Sequence, residues 1–163
     1  MTAPKRSFPP VVDASSRVLV LGSLPGEESL ARAQYYGHPR NLFWRLMGAV
    51  IGAELVPLAY EQRLAELLAA GVGLWDVVEA AHREGSLDAA IRGHQPNALA
   101  PLVATLPNLR AVGFNGGTAA RIGMPQLAGS DPELIHLPSS SPAYARLTFD
   151  EKLEGWMRLA AYL

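Results

Sequence analysis

Arg17-Val18-Leu19-Val20-Leu21-Gly22 decides the fold. The run is apolar and β-branched, with no polar residue alternating through it. A strand that is polar on neither face is buried on both, as in a parallel sheet covered by helices. Downstream, residues 23–29 read as a loop carrying Pro25 and Gly26. Leu42, Phe43, Leu46, Met47, Val50 and Ile51 recur at helical spacing and predict a helix over about 40–52. Tyr60, Leu64, Leu67 and Leu68 mark a second helix, stopped by Gly71. Residues 72–78 predict a second strand, and a polar stretch follows from Glu79 to about Gln95. Residues 99–106 suit a short helix and 109–114 a third strand. Asn115-Gly116-Gly117 turns that strand into a helix over 118–122.

Residues 133–137 predict a fourth strand, and 138–146, rich in serine and proline, a loop. The last helix begins at Thr148. Glu151, three residues on, completes a capping box with it. Phe149, Leu153, Trp156, Met157 and Ala160 form that helix's buried stripe. Strands alternating with helices predict one domain over 1–163, a three-layer α/β/α sandwich with a four-stranded, mainly parallel sheet. Residues 1–10, with Pro4, Pro9 and Pro10, are expected to be a flexible tail. Ligands in such sheets bind beyond the carboxyl ends of the strands. The chemistry is therefore expected on residues 23–29, after Val78, on 115–117 and on 138–146.

Composition narrows the class. The chain has 163 residues, 49% hydrophobic and 18% charged, which is enough apolar material for a core. It has no cysteine, which excludes disulfides, thiolate metal sites and a thiol nucleophile. No run of apolar residues is long enough for a signal peptide or a membrane span, so the expectation is a soluble cytoplasmic protein with no membrane partner. Net charge is -1, from 14 basic and 15 acidic residues, unlike the strongly basic balance of many nucleic-acid binders. Any phosphate contact must come from a local patch.

Three segments stand out: Gly22-Ser23-Leu24-Pro25-Gly26, Tyr35-Tyr36-Gly37-His38-Pro39-Arg40-Asn41-Leu42-Phe43-Trp44, and His136-Leu137-Pro138-Ser139-Ser140-Ser141-Pro142-Ala143-Tyr144. Together they resemble the uracil-DNA glycosylase superfamily, nearest its hypoxanthine-DNA (deoxyinosine) glycosylase branch. The middle segment carries that superfamily's His-Pro-x-Asn-x-Phe-Trp signature position for position. The first and third look like its first and second catalytic motifs. Leu74-Trp75-Asp76-Val77 and Pro96-Asn97 are similar to the deoxyinosine branch. The resemblance runs from about Arg17 to the C-terminus. Leu24 stands where mismatch-specific members carry a water-positioning asparagine, and the aspartate of the main uracil-specific enzymes is missing too. Tyr144 stands where relatives often carry asparagine. The deoxyinosine branch shares the loss at Leu24, and the resemblance implies that Asn41 takes the catalytic role.

The implied activity is hydrolysis of the N-glycosidic bond of a deaminated base in DNA, hypoxanthine before uracil or xanthine, by base flipping. Asn41, Ser23 and His136 are the expected catalytic residues. Asn41 could orient the water or bond the base, but an amide is not a strong base. Gly22, Leu24, Pro25, Gly26, Tyr36, Phe43 and Asn115 are expected around the base. In that set Tyr36 stacks on it and backbone N–H groups of the first turn bond it. Arg40, Ser139, Ser140, Ser141, Tyr144 and Arg146 are expected on DNA. The only lysines are Lys5 and Lys152. Neither lies on an expected active loop, so no Schiff base is expected and monofunctional cleavage is predicted. No cofactor and no metal are expected, since the four histidines lack metal-site spacing. The protein is read as a monomer that binds damaged DNA.

Plainer readings compete. Asn41 could be only a helix cap. Phe43 and Trp44 lie on an apolar helix face and suit a core. Ser139 to Ser141 could be only a turn, and Asp76 could serve the site or a structural hydrogen bond. His82 and His94 read as solvated. A serine hydrolase using Ser23 or Ser140 with His38 or His136 is a rival, although the first motif is not a Gly-x-Ser-x-Gly elbow. A nucleotide-binding module lacks its phosphate loop. A non-catalytic damaged-DNA binder of the same fold is the third alternative.

Overall fold

The structure is a computed structural model that describes residues 5–82, 86 and 92–163. The strands in chain order are β1 (Lys5–Arg6), β2 (Val18–Gly22), β3 (Val72–Asp76), β4 (Val78–His82), β5 (Arg92–Pro96), β6 (Ala111–Asn115) and β7 (Glu133–Leu137). The helices are α1 (Glu27–Arg32), α2 (Phe43–Ile51), α3 (Tyr60–Ala69), α4 (Leu99–Ala104), α5 (Gly117–Leu127) and α6 (Phe149–Trp156). A 3₁₀ segment, Met157–Tyr162, follows α6.

The main sheet has the order β3-β2-β6-β7, and every pair is parallel. Every residue of β2 is buried, which is what an all-apolar central strand demands. Side chains of one strand alternate between the faces, so β2 feeds two cores. Val18 and Val20 pack with Phe43, Leu46, Met47, Leu67, Trp156 and Leu159 from α2, α3, α6 and the 3₁₀ segment. Leu19 and Leu21 pack with Leu99, Ala119, Ala120 and Leu127 from α4 and α5. The three layers expected from the sequence follow from this alternation.

The polar stretch from Glu79 to Gln95 is not loop throughout. β4 and β5 pair antiparallel, and β1 joins β4, forming a separate three-stranded sheet. Residues 83–85 and 87–91 of that stretch lie outside the described residues, as does the His82 side chain; His94 is exposed. The flexible tail needs correction over residues 5–10. Phe8 meets the Tyr35 ring edge-on at 5.3 Å, and its carbonyl accepts from Trp75 Nε1 at 3.1 Å. Tyr35 donates its hydroxyl hydrogen to the Pro9 carbonyl at 2.8 Å. Residues 1–4 of the expected tail lie outside the described residues.

Smaller differences have local causes. The expected loop 23–29 ends in α1, with two glutamates in its first turn. α5 runs past Ile122 and contains Pro125. Thr148 and Glu151 form the capping box as read, with Glu151 N donating to Thr148 Oγ1 at 3.2 Å. Trp156 is buried, but Met157 is exposed. The tighter winding that begins there turns Met157 off the stripe.

Candidate active site

The carboxyl ends of β2, β3 and β6 open onto one cleft of about 260 Å³. All of Gly22, Ser23, Leu24, Pro25 and Gly26 line it. Gly22 sits opposite Asp76 in the sheet register. A Cβ on Gly22 would lie 2.7 Å from Asp76 Oδ1 and 3.0 Å from the Tyr36 hydroxyl, so only glycine lets these side chains approach. The turn is anchored from behind: Val77 N donates to Gly22 O at 2.8 Å and Val78 N to Ser23 O at 3.1 Å.

The middle segment brings Tyr36, His38 and Asn41 to the same cleft. Tyr36 has φ +53°, a left-handed conformation uncommon for an aromatic residue. Trp44 Nε1 donates to its carbonyl at 3.1 Å, and its ring stacks on Phe43 at 3.8 Å and 14°. Phe43 is fully buried and does not line the cleft, so its expected contact with the base is corrected. It is a shelf beneath Tyr36, because the start of α2 turns it into the core. Tyr35 behind it is buried. Burial first, and then the Asp76 carboxylate, hold its phenol far above the ordinary tyrosine value, so it stays neutral.

Asn41 Oδ1 accepts from Phe43 N at 2.9 Å, just ahead of α2. The N-cap position itself falls to Leu42, which makes no side-chain cap, so the plain helix-cap reading of Asn41 is corrected: Asn41 precedes the cap, bonds the first N–H of α2, and lines the cleft. The bond from Phe43 N fixes the side chain, while the amide nitrogen and a second carbonyl lone pair remain. Leu42 N donates to Ser140 O at 3.0 Å and ties this segment to the third.

In the third segment Ser139, Ser140 and Ser141 line the cleft. Ser140 is buried and bound to Asn115 through both its backbone N–H and its hydroxyl, each at 2.9 Å. Asn115 Nδ2 also reaches the Tyr36 hydroxyl at 3.4 Å. Asn115 thus lines the cleft as a bracket between two segments. Among the described residues the Ser140 hydroxyl, enclosed and held by an amide, has no histidine partner of the kind the hydrolase rival requires. Ser139 Oγ accepts from Ser141 N, and Ser141 Oγ from Ala143 N, both at 3.2 Å, so these serines also shape their own loop.

His136 is a correction. It lies in β7 between Ile135 and Leu137, whose side chains enter the core, so strand alternation turns it outward. It is exposed and does not line the cleft. Arg40 and Arg146 are exposed outside the cleft wall, and Tyr144 is half-buried there. Two residues gain importance. His38 lines the cleft three residues before Asn41, although sequence reasoning gave it only to the rival hydrolase. Lys152 is buried, and its ammonium donates to the Tyr144 carbonyl at 2.6 Å and the Ser141 carbonyl at 3.4 Å. Burial lowers its pKa. Its position was legible: 149, 152, 153 and 156 share one helical face. Among the described residues no cluster of three or more histidines and carboxylates could hold a metal ion, and no helix is long and apolar enough to cross a membrane.

The family model of the uracil DNA glycosylase superfamily matches residues 9–160. The chain belongs to this superfamily. The glycosylase is 44% identical over 150 residues to a protein of Methanosarcina acetivorans named hypoxanthine DNA glycosylase, a match covering 92% of this chain and 94% of the relative. It is 42% identical over 152 residues to a protein of the same name from Methanosarcina barkeri, covering 93% and 95%. Its fold matches a solution NMR structure of a candidate uracil DNA glycosylase from Methanosarcina acetivorans. That match has a TM-score of 0.87 and 42% identity over 97% of both chains. The fold and the enzyme class read from the sequence, an α/β sandwich and a DNA glycosylase, both stand.

Proposed function

We propose that this glycosylase hydrolyses the bond between hypoxanthine and deoxyribose in DNA, with uracil and xanthine as lesser substrates, and leaves an intact abasic site. The observation that carries the reading is Asn41, held by the Phe43 N–H at the start of α2 in the cleft that Ser23 and Ser140 also line. At about 260 Å³ the cleft falls below the roughly 300 Å³ at which sites for drug-sized ligands begin, and so suits a single extruded base. The substrate preference rests on the two archaeal relatives and on Leu24, an apolar side chain where a water-positioning asparagine would otherwise stand.

On this reading the base leaves the stack and enters the cleft. Tyr36, supported from below by Phe43, offers the base an aromatic face. N–H groups of the turn over 23–26 bond its edge. Asn41 positions the attacking water; being an amide, it works by placement rather than by proton abstraction. The loop over 139–141 meets the phosphates, with Arg40 and Arg146 beside it. Lys152 spends its ammonium on two carbonyls of that loop and is not in the cleft, which fits a monofunctional enzyme. We take the protein to act as a cytoplasmic monomer, which sedimentation at working concentration would check.

The test uses duplex oligonucleotides carrying inosine, uracil or xanthine, incubated with protein and then treated with alkali. Cutting after alkali, strongest for inosine, is the expected result. No cutting on any of them would defeat the proposal. Cutting of the strand before alkali would contradict the monofunctional part alone.

A further inference from the structure

His38 is in the cleft but has no part in the steps above. Its Nδ1 accepts the Arg40 N–H at 3.1 Å, and its carbonyl accepts the Asn41 N–H at 3.0 Å. Ring and catalytic amide therefore belong to one tight turn. A neutral imidazole that accepts at Nδ1 carries its proton on Nε2. Among the described residues Nε2 makes no hydrogen bond, and the residue is only half-buried against the cleft. The turn fixes a donor and leaves it unused.

The reaction calls for such a donor. When the C1′–N9 bond breaks, its electron pair goes to the base. Water supplies the hydroxyl on C1′, and its proton neutralises the departing base. The charge that appears at N9 spreads through the five-membered ring to N7. A donor fixed at N7 stabilises that charge as it forms, without transferring its own proton. We propose that His38 is a catalytic residue whose Nε2–H bonds N7 of the departing purine. This rests on the hypoxanthine reading above and adds a leaving-group contact to it.

Two isosteric substitutions separate this role from a structural one. In His38→Asn the side-chain oxygen can replace Nδ1 and keep the Arg40 turn, but the Nε2 donor is gone. In His38→Gln the amide nitrogen can stand near Nε2 and donate. The experiment measures single-turnover base release from duplexes carrying inosine or 7-deazainosine, with thermal midpoints confirming that both variants fold. His38→Asn should be about 100-fold slower on inosine, and His38→Gln should recover most of that loss. Wild type should slow on 7-deazainosine by at least that factor, since the ring also loses the atom that takes up the charge, and His38→Asn should slow it little further. An asparagine variant as fast as wild type would overturn the proposal, as would equal losses on both substrates. If wild type releases nothing from inosine, the hypoxanthine reading itself fails and takes the His38 role with it.

Discussion

Asn115 holds Ser140 with both ends of its amide: Oδ1 accepts the Ser140 N–H, and Nδ2 donates to the Ser140 hydroxyl, each at 2.9 Å. The pair is buried, so water cannot replace either bond. Asn115→Ala should cost about 1–3 kcal/mol per stranded group and should also lower turnover, because the cleft wall loses its bracket. Asn115→Asp keeps the acceptor and loses the donor, and should fall between alanine and wild type. Urea unfolding together with base release checks both.

Asn41 bonds the Phe43 N–H and, on the proposed reading, positions the attacking water, and a pair of variants separates the two. Asn41→Ala should slow base release by about 10²–10³-fold, the scale for losing one preorganised polar group at a reacting centre. It should also cost about 0.5–1.5 kcal/mol of stability through the lost bond to Phe43 N. Asn41→Asp keeps the acceptor for Phe43 N and should retain stability while losing the amide donors. Unchanged turnover in both variants would remove the assigned role.

Gly22→Ala should damage the site more than the fold. The added methyl would meet Asp76 Oδ1 at 2.7 Å and the Tyr36 hydroxyl at 3.0 Å, and both must shift. Base release should drop at least tenfold, since small misplacements at a reacting centre are expensive. Wild-type turnover in this variant would show that neither side chain needs its position.

Lys152 gives a prediction about pH. Its folded pKa lies below the ordinary lysine value because burial disfavours the charged form. Between the lowered value and the ordinary one, the unfolded chain binds more protons than the folded chain. Stability contributed by this group therefore rises with pH across that window. The cost of burying the ammonium is fully present below it. Lys152→Met should lack this alkaline rise, so the difference in unfolding free energy between wild type and variant should itself grow in wild type's favour as pH climbs through that window. The Ser141 and Tyr144 carbonyls lose their donor, so the variant should also bind DNA more weakly.

How much the sequence revealed depended on burial. β2 was legible because both its faces are apolar, and α6 because Thr148 and Glu151 cap it. β4 and β5 were missed because Glu79, His94 and Gln95 are solvated. A small sheet with one face in water leaves too few apolar positions to show a period of two. The cleft's three segments were legible through motifs, but the facing of single side chains was not. His136 adjoined a motif and was placed on chemistry. Counting alternation from Ile135 and Leu137 would have turned it outward. Asn41 was legible as a residue of the cleft through its motif, but not its bond to Phe43 N, because the cap position falls one residue later, at Leu42.

The Val11–Leu74 bridge has a consequence for how copies of this chain behave. Each residue's N–H donates to the other's carbonyl at 2.9 Å, along the outer side of β3, which borders the main sheet. Unoccupied strand borders invite pairing with foreign strands. Residues ahead of β2 therefore cover that border at Leu74. Trimming the chain beyond Val11 should leave the opposite border, where Glu133 and His136 face solvent, as the better defended of the two.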